Sequence, residues 1–328
     1  METRKVIAFG KSTLSITLPK KWTTKTKLKK GDLLVVTELP TGKLELSLAD
    51  QKERTEPKKI SIPITGRPLR EVQREFIAAY IKGYSVIDLV GDHQGKLSEI
   101  RRRLHELIAV EIMEVAPNRI TAKVFSDMSL VSFPNILSRI VLITRTIMEE
   151  TQAIVPSAKN LHIRYRELVE KKREVDRQSL FALRITLNAL SDPVFAAQVE
   201  PDHKKLSFIW YWQIIDYLEK VSDYLLGIAF YLTSTDVLQK LGKSGRTDLA
   251  RLFDMVGKTF SSAVIAYNKK SIPLANKAFD AHTRADKSLY TIYRKYETRW
   301  IPVIVGYLRR TSSKSRDIAK VTINMNTK

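Results

Sequence analysis

No cysteine occurs among the 328 residues. That excludes disulfides, thiolate catalysis and metal sites built on sulfur ligands, and it suits a reducing compartment. Long apolar runs are missing too. The most apolar stretches, residues 208–217 and 300–308, fall short of the ~20 residues that span a bilayer. The amino end, METRKVIAFG, has no apolar leader. The expectation is a cytoplasmic protein with no integral membrane segment. Spaced histidine pairs are absent: His93, His105, His162, His203 and His282 stand apart, which argues against a histidine-based metalloenzyme. No Ser-His-Asp arrangement or nucleophile elbow can be read. Gly10-Lys11-Ser12 has the tail of a phosphate-binding loop, but Lys5 stands where that motif needs its first glycine. No enzymatic activity is expected.

Acidic residues are also missing from residues 4–30, which hold nine Lys or Arg. Cations that displace counterions from phosphates supply most sequence-independent affinity for a duplex, so this imbalance points to nucleic acid. The whole chain carries a formal net charge of +21. Charge of that size favours nucleic acid or an anionic membrane surface and does not choose between them. With 44% hydrophobic residues the chain is globular, and its length predicts more than one domain.

Residues 1–50 read as short β-strands joined by turns at Lys30-Gly31-Asp32 and Pro40-Thr41-Gly42. Residues 51–59 are charged and read as a linker. Residues 60–126 alternate strand and helix signals: strands at 60–64 and 85–90, helices near 68–82 and 96–107, and a hairpin at 110–115 and 119–125. This predicts a small α/β domain. From residue 131 the period becomes helical. Ile214, Leu218, Val221, Leu225, Ile228 and Leu232 form a seam at alternating spacings of four and three, as bundle packing requires. Breaks at 191–193, 200–202, 241–245 and 271–273 predict six helices, grouped as bundles 131–235 and 246–322. These are two copies of three helices. Trp210, Tyr217, Leu218, Ile228 and Ala229 recur ninety residues later as Trp300, Tyr307, Leu308, Ile318 and Ala319, and Asp176 and Arg184 match Asp286 and Arg294.

Gly10, the Ser-Ile-Thr-Leu-Pro-Lys run at 15–20, and Leu28-Lys29-Lys30-Gly31-Asp32 leading into residues 33–36 resemble the AbrB, SpoVT and MazE family of swapped-hairpin DNA-binding domains. The resemblance covers about fifty residues. It implies a homodimer in which two chains exchange hairpins to form one β-barrel. Double-stranded DNA would then be met by Arg4, Lys5, Lys11, Ser12, Lys20 and Lys21. Lysines are point charges suited to phosphates rather than bidentate readers of bases. The bland alternative is a solvated basic face on a dimerisation module. Trp22 reads as an apolar anchor.

In the helical region, Glu219 and Asp223 stand one turn apart within residues 217–224, and Glu174-Val175-Asp176-Arg177 precedes them. Together with the repeat, this resembles the PhoU family of phosphate-uptake regulators over residues 131–322. The resemblance implies two repeated three-helix bundles whose inner Glu-x-x-x-Asp motifs bind metal clusters. A divalent metal or iron in the first bundle would use Glu174, Asp176, Glu219 and Asp223. The sequence departs from that pattern at Lys172, Arg309 and Ser313, each standing where the family carries an acid. Arginine cannot ligate a metal in a protein. The alternative is ordinary: helix-surface acids paired with Lys172, Arg177 or Lys220. The aromatic run at 208–212 reads as bundle packing.

The fold class expected is multidomain and mainly α: a swapped-hairpin β domain, a small α/β domain and two PhoU-like bundles. The function expected is DNA-binding regulation of phosphate uptake and homeostasis. The alternative is a non-DNA adaptor that docks on a phosphate transporter ATPase or a sensor kinase at the membrane.

Overall fold

The computed structural model describes residues 2–10, 13–38, 42–48, 58–125, 132–157, 159–200, 205–296 and 299–327. It divides into two units, Met1–Pro57 and Lys58–Lys328. In the first, β1 (Ile7–Phe9) pairs antiparallel with β2 (Thr13–Ser15), Ile7 facing Ser15. β3 (Leu34–Glu38) pairs antiparallel with β4 (Leu44–Leu48). Between the hairpins lies α1 (Lys20–Lys25), a helix where only strands were expected. Pro19 fixes φ at −61° and its carbonyl accepts the N–H groups of Trp22 and Thr23, both at 3.0 Å. The Lys/Thr-rich segment after it has no apolar alternation to hold it in a sheet. The Lys-Lys-Gly-Asp turn has a local mechanism. Gly31 takes φ of +97°, and the Asp32 carboxylate accepts the Lys29 N–H at 2.7 Å.

No described residue of this first unit is buried. Phe9, Leu14 and Leu33 are about three-quarters exposed, at 75%, 73% and 76%. The unit's strands form two separate two-stranded ribbons, and a ribbon of two strands is marginally stable by itself.

The second unit opens with a four-stranded sheet. Its elements are β5 (Lys59–Pro63), α2 (Leu69–Ile81), β6 (Val86–Val90), α3 (Leu97–Leu104), β7 (Val110–Ala116) and β8 (Arg119–Val124). The spatial order is β5-β6-β8-β7, with β5 parallel to β6 and the other pairs antiparallel. Val72, Phe76 and Tyr80 of α2 and Ile100 and Leu104 of α3 share one core with Ile62, Ile87, Leu89 and Ile120 of the strands. Lys59, read as linker from its charge, opens β5 and reaches the buried Asp88 at 3.0 Å.

The helical region holds α4 (Phe133–Ile154), α5 (Leu161–Ser191), α6 (Pro193–Val199), α7 (Lys205–Ser234), α8 (Val237–Asn268), α9 (Ile272–Lys295) and α10 (Ile301–Asn326). Helices α4, α5 and α7 pack as one bundle and α8, α9 and α10 as another, joined along α7 and α10. The seam from Ile214 to Leu232 is buried along its whole length. Two details differ from expectation among the described residues. Pro193 starts the extra short helix α6, because proline suits a first helical position. The break expected at 241–245 is only a kink at Gly242 (φ 60°, ψ −171°) inside α8, so the second bundle begins at Val237. Buried Leu241 and Gly245 on either side keep the chain on the same core.

The repeat is visible in side-chain pairs across the α7–α10 seam. The Lys314 ammonium lies 4.7 Å from the Tyr217 ring centre, and the Tyr307 ring lies 6.0 Å from that of Tyr224. Shifting one pair by ninety residues in each member gives the other, as a local two-fold relation requires.

Candidate functional site

Of the six residues assigned to DNA, Arg4, Lys5, Lys20 and Lys21 are exposed, and Lys11 and Ser12 lie outside the described residues. Arg4 pairs with Glu2 at 2.8 Å. Lys20 and Lys21 open α1, with no acid in its first turn. Trp22 on the same helix is half-buried. Chemically the surface offers flexible cations to phosphates, with no acid between residues 4 and 30 to oppose them.

In the first bundle, the sequence-derived metal set separates. Glu174 of α5 is held by Arg139 of α4 at 2.9 Å, by Arg177 at 3.2 Å and by the Gln178 amide at 2.9 Å. Asp176 on α5 and Glu219 and Asp223 on α7 do converge, and Lys172 is at their centre. Its ammonium pairs with Asp176 one turn along α5, with Asp223 at 2.5 Å and with Glu219 at 3.7 Å. Lys220 closes the outer side, 3.3 Å from Glu219 and 3.8 Å from Asp223. Lys172 is 8% exposed, its stem running through the bundle while its head meets the carboxylates.

Burial alone would push the Lys172 pKa down, but Asp176 and Asp223 hold it above the ordinary lysine value. Asp176 is pushed up, chiefly by burial and then by the carboxylates of Glu219 and Asp223, against the pull of Lys172. Among the described residues no three His, Asp or Glu side chains are arranged to hold a metal ion. The donor set does not fit the metal that the family resemblance implied, because an ammonium already occupies the point where the three carboxylates meet.

The second bundle shows the same substitution from another position. Arg309 of α10 donates to both oxygens of Asp286 on α9, at 2.6 and 3.2 Å. His282 Nδ1 lies 2.9 Å from Ser312 Oγ, and Arg316 lies 3.4 Å from His282 Nε2. Burial first, and then the Arg316 cation, lower the His282 pKa.

Three features escaped the sequence reading. One is the cavity of about 770 Å³ between α4, α7, α8 and α10, lined by Leu137, Arg145, Tyr211, Tyr267 and Lys270. It lies away from the carboxylates and had no motif. The second is buried Arg184 of α5, whose Nη1 donates to the Tyr80 and Tyr84 carbonyls and so ties α5 to the end of α2. Its match to Arg294 was legible, its partner was not. The third is the distribution of charge. Residues 237–328 hold 19 Lys or Arg against 6 Asp or Glu, while residues 1–57 hold 12 against 7. Counting by segment would have found it. On α9, Lys277, Arg284, Lys287 and Arg294 fall on one exposed face, and none has an ion-pair partner among the described residues.

Among the described residues, no helix is long and apolar enough to cross a membrane. No family model matches the sequence, and no curated protein matches it. Among solved structures the chain is similar to the crystal structure of PhoU from Pseudomonas aeruginosa. The TM-score is 0.50 at 15% identity, over 59% of this chain and 94% of that one. The fold of the two three-helix bundles is PhoU-like.

Proposed function

We propose that this protein is a non-catalytic, DNA-binding regulator of phosphate homeostasis that works as a homodimer. The amino-terminal unit carries the reading. No described residue in it is buried, and Val6, Phe9, Leu14, Leu33 and Val36 are exposed. So small a unit with no core of its own needs cover. The AbrB-like run at 15–36 supports a second copy as that cover. Pairing two copies also brings two sets of acid-free cationic segments together, which suits a polyanionic duplex. The PhoU-like body then serves as the sensing part. An effector switches DNA occupancy only by binding the two arrangements of the heads with different affinity.

Fluorescence anisotropy of a labelled duplex, titrated at rising NaCl, tests this reading. Log affinity is expected to fall linearly with log salt, and Lys20→Ala should reduce the slope by about one phosphate contact. Absence of duplex binding at low salt removes the reading. Mapping genomic occupancy in phosphate-rich and phosphate-poor cells then tests the phosphate link.

A second reading is favoured by the excess of cations in residues 237–328. In it the protein is an adaptor that meets a transporter ATPase or sensor kinase beside an anionic membrane, and the amino-terminal unit serves dimerisation alone. Reversing Lys277, Arg284, Lys287 and Arg294 to Glu would then abolish sedimentation with anionic vesicles while leaving duplex binding unchanged.

A further inference from the structure

We propose that the Lys172 ammonium is the resident cation of the first bundle, a tethered charge that holds α5 to α7 where an exchangeable metal would otherwise be needed. This is independent of the DNA-binding reading. Three carboxylates from two helices approach one another around a single point: Asp176 on α5, and Glu219 and Asp223 on α7. Unneutralised, they would repel across the α5–α7 contact. The ammonium has three donors and meets these acids at the distances given above, and Lys220 covers them from the solvent side. Asp216 acts on Lys220 from the same helix, and Glu174 is satisfied by Arg139 and Arg177.

The second bundle provides an independent instance. There Arg309 takes Asp286 in a two-pronged pair. Both bundles therefore neutralise the corresponding acids, Asp176 and Asp286, with a cation of their own chain, one from the second helix of its repeat and one from the third. A covalently attached cation cannot be removed by a chelator or exchanged when metal supply changes. The body so built is indifferent to the metal content of its surroundings.

The test uses the full-length protein, with Mn²⁺ as probe and thermal melting and bound-metal content as readouts. Wild type is expected to melt at the same temperature in EDTA and in Mn²⁺, and to leave gel filtration without bound Mn²⁺. Lys172→Met keeps the stem but removes the charge. It should melt several degrees lower at neutral pH and regain part of the loss in Mn²⁺. A triple variant adding Asp176→Asn and Asp223→Asn removes the repulsion as well, and should melt near wild type with no response to Mn²⁺. If Lys172→Met does not fold, the triple variant decides: folding supports the proposal, and failure means that stem packing, not charge, is what matters. The proposal is overturned if wild type retains one Mn²⁺ per chain that Glu219→Gln abolishes. It is equally overturned if Lys172→Met melts as wild type or gains nothing from Mn²⁺.

Discussion

Arg184 caps a helix that is not its own. Its guanidinium satisfies the carbonyls of Tyr80 and Tyr84 at the end of α2 and lies 5.0 Å from the Tyr80 ring centre. Helix-end carbonyls have no partner within their own helix, and a cation there also meets the negative end of the dipole. Arg184→Met therefore removes the donor to the half-buried Tyr84 carbonyl and leaves Tyr80 with the Gly83 N–H at 3.1 Å. Urea unfolding should show a loss of about 1–3 kcal/mol. Arg184→Lys should recover only part of it, because an ammonium cannot both fork and stack. Lys172 gives a pH signature at the same scale. Held above its ordinary value of 10.5, it contributes stability that is complete below that pH and lost as pH rises through its native pKa. Asp176, held above its ordinary 3.8, makes the fold gain stability as pH falls through its native pKa. The difference in melting temperature between wild type and Lys172→Met should be widest in between and narrow toward both extremes.

Among the elements, the α7–α10 seam is the tightest approach between the bundles. A Cβ built on Gly227 would lie 3.0 Å from the Tyr307 ring. Gly227→Val overfills that contact and should cost about 1–3 kcal/mol in chemical denaturation. Gly306 on the facing helix has nothing within 4 Å of the same atom, so Gly306→Ala should be neutral or better. Much of this architecture was legible beforehand. The Ile214–Leu232 spacing and the ninety-residue recurrence are properties of helices, whose contacts repeat along the chain. What could not be read depends on neighbours distant in sequence. Lys172 and Arg309 were visible as departures from the acidic pattern, but nothing in one dimension says that their charges land on Asp223 or Asp286. Glu174 entered the ligand set through the family resemblance of the 174–177 run, yet it stands two residues from Asp176, and two residues apart on a helix point to different sides. α1 was missed because Pro19 and local hydrogen bonds, not a buried stripe, define it.

For the whole molecule, the proposed pairing of amino-terminal units sets stability against concentration. Apolar residues covered only by a second copy make the first unfolding transition depend on protein concentration. Phe9→Glu or Leu14→Glu should convert the dimer seen by light scattering to a monomer and, in the same step, lower duplex affinity. The large unit, with its continuous core from Phe133 to Val321, should melt independently of concentration. Loss of DNA binding without loss of the dimer in these variants would separate the two roles.

The two cations, Lys172 and Arg309, occupy non-equivalent repeat positions. Lys172 aligns with His282, and Arg309 aligns with Glu219. Each half therefore carries its own countercharge, Lys172 to Asp176 and Arg309 to Asp286, delivered from a different helix of the repeat, so removing one leaves the other pair intact.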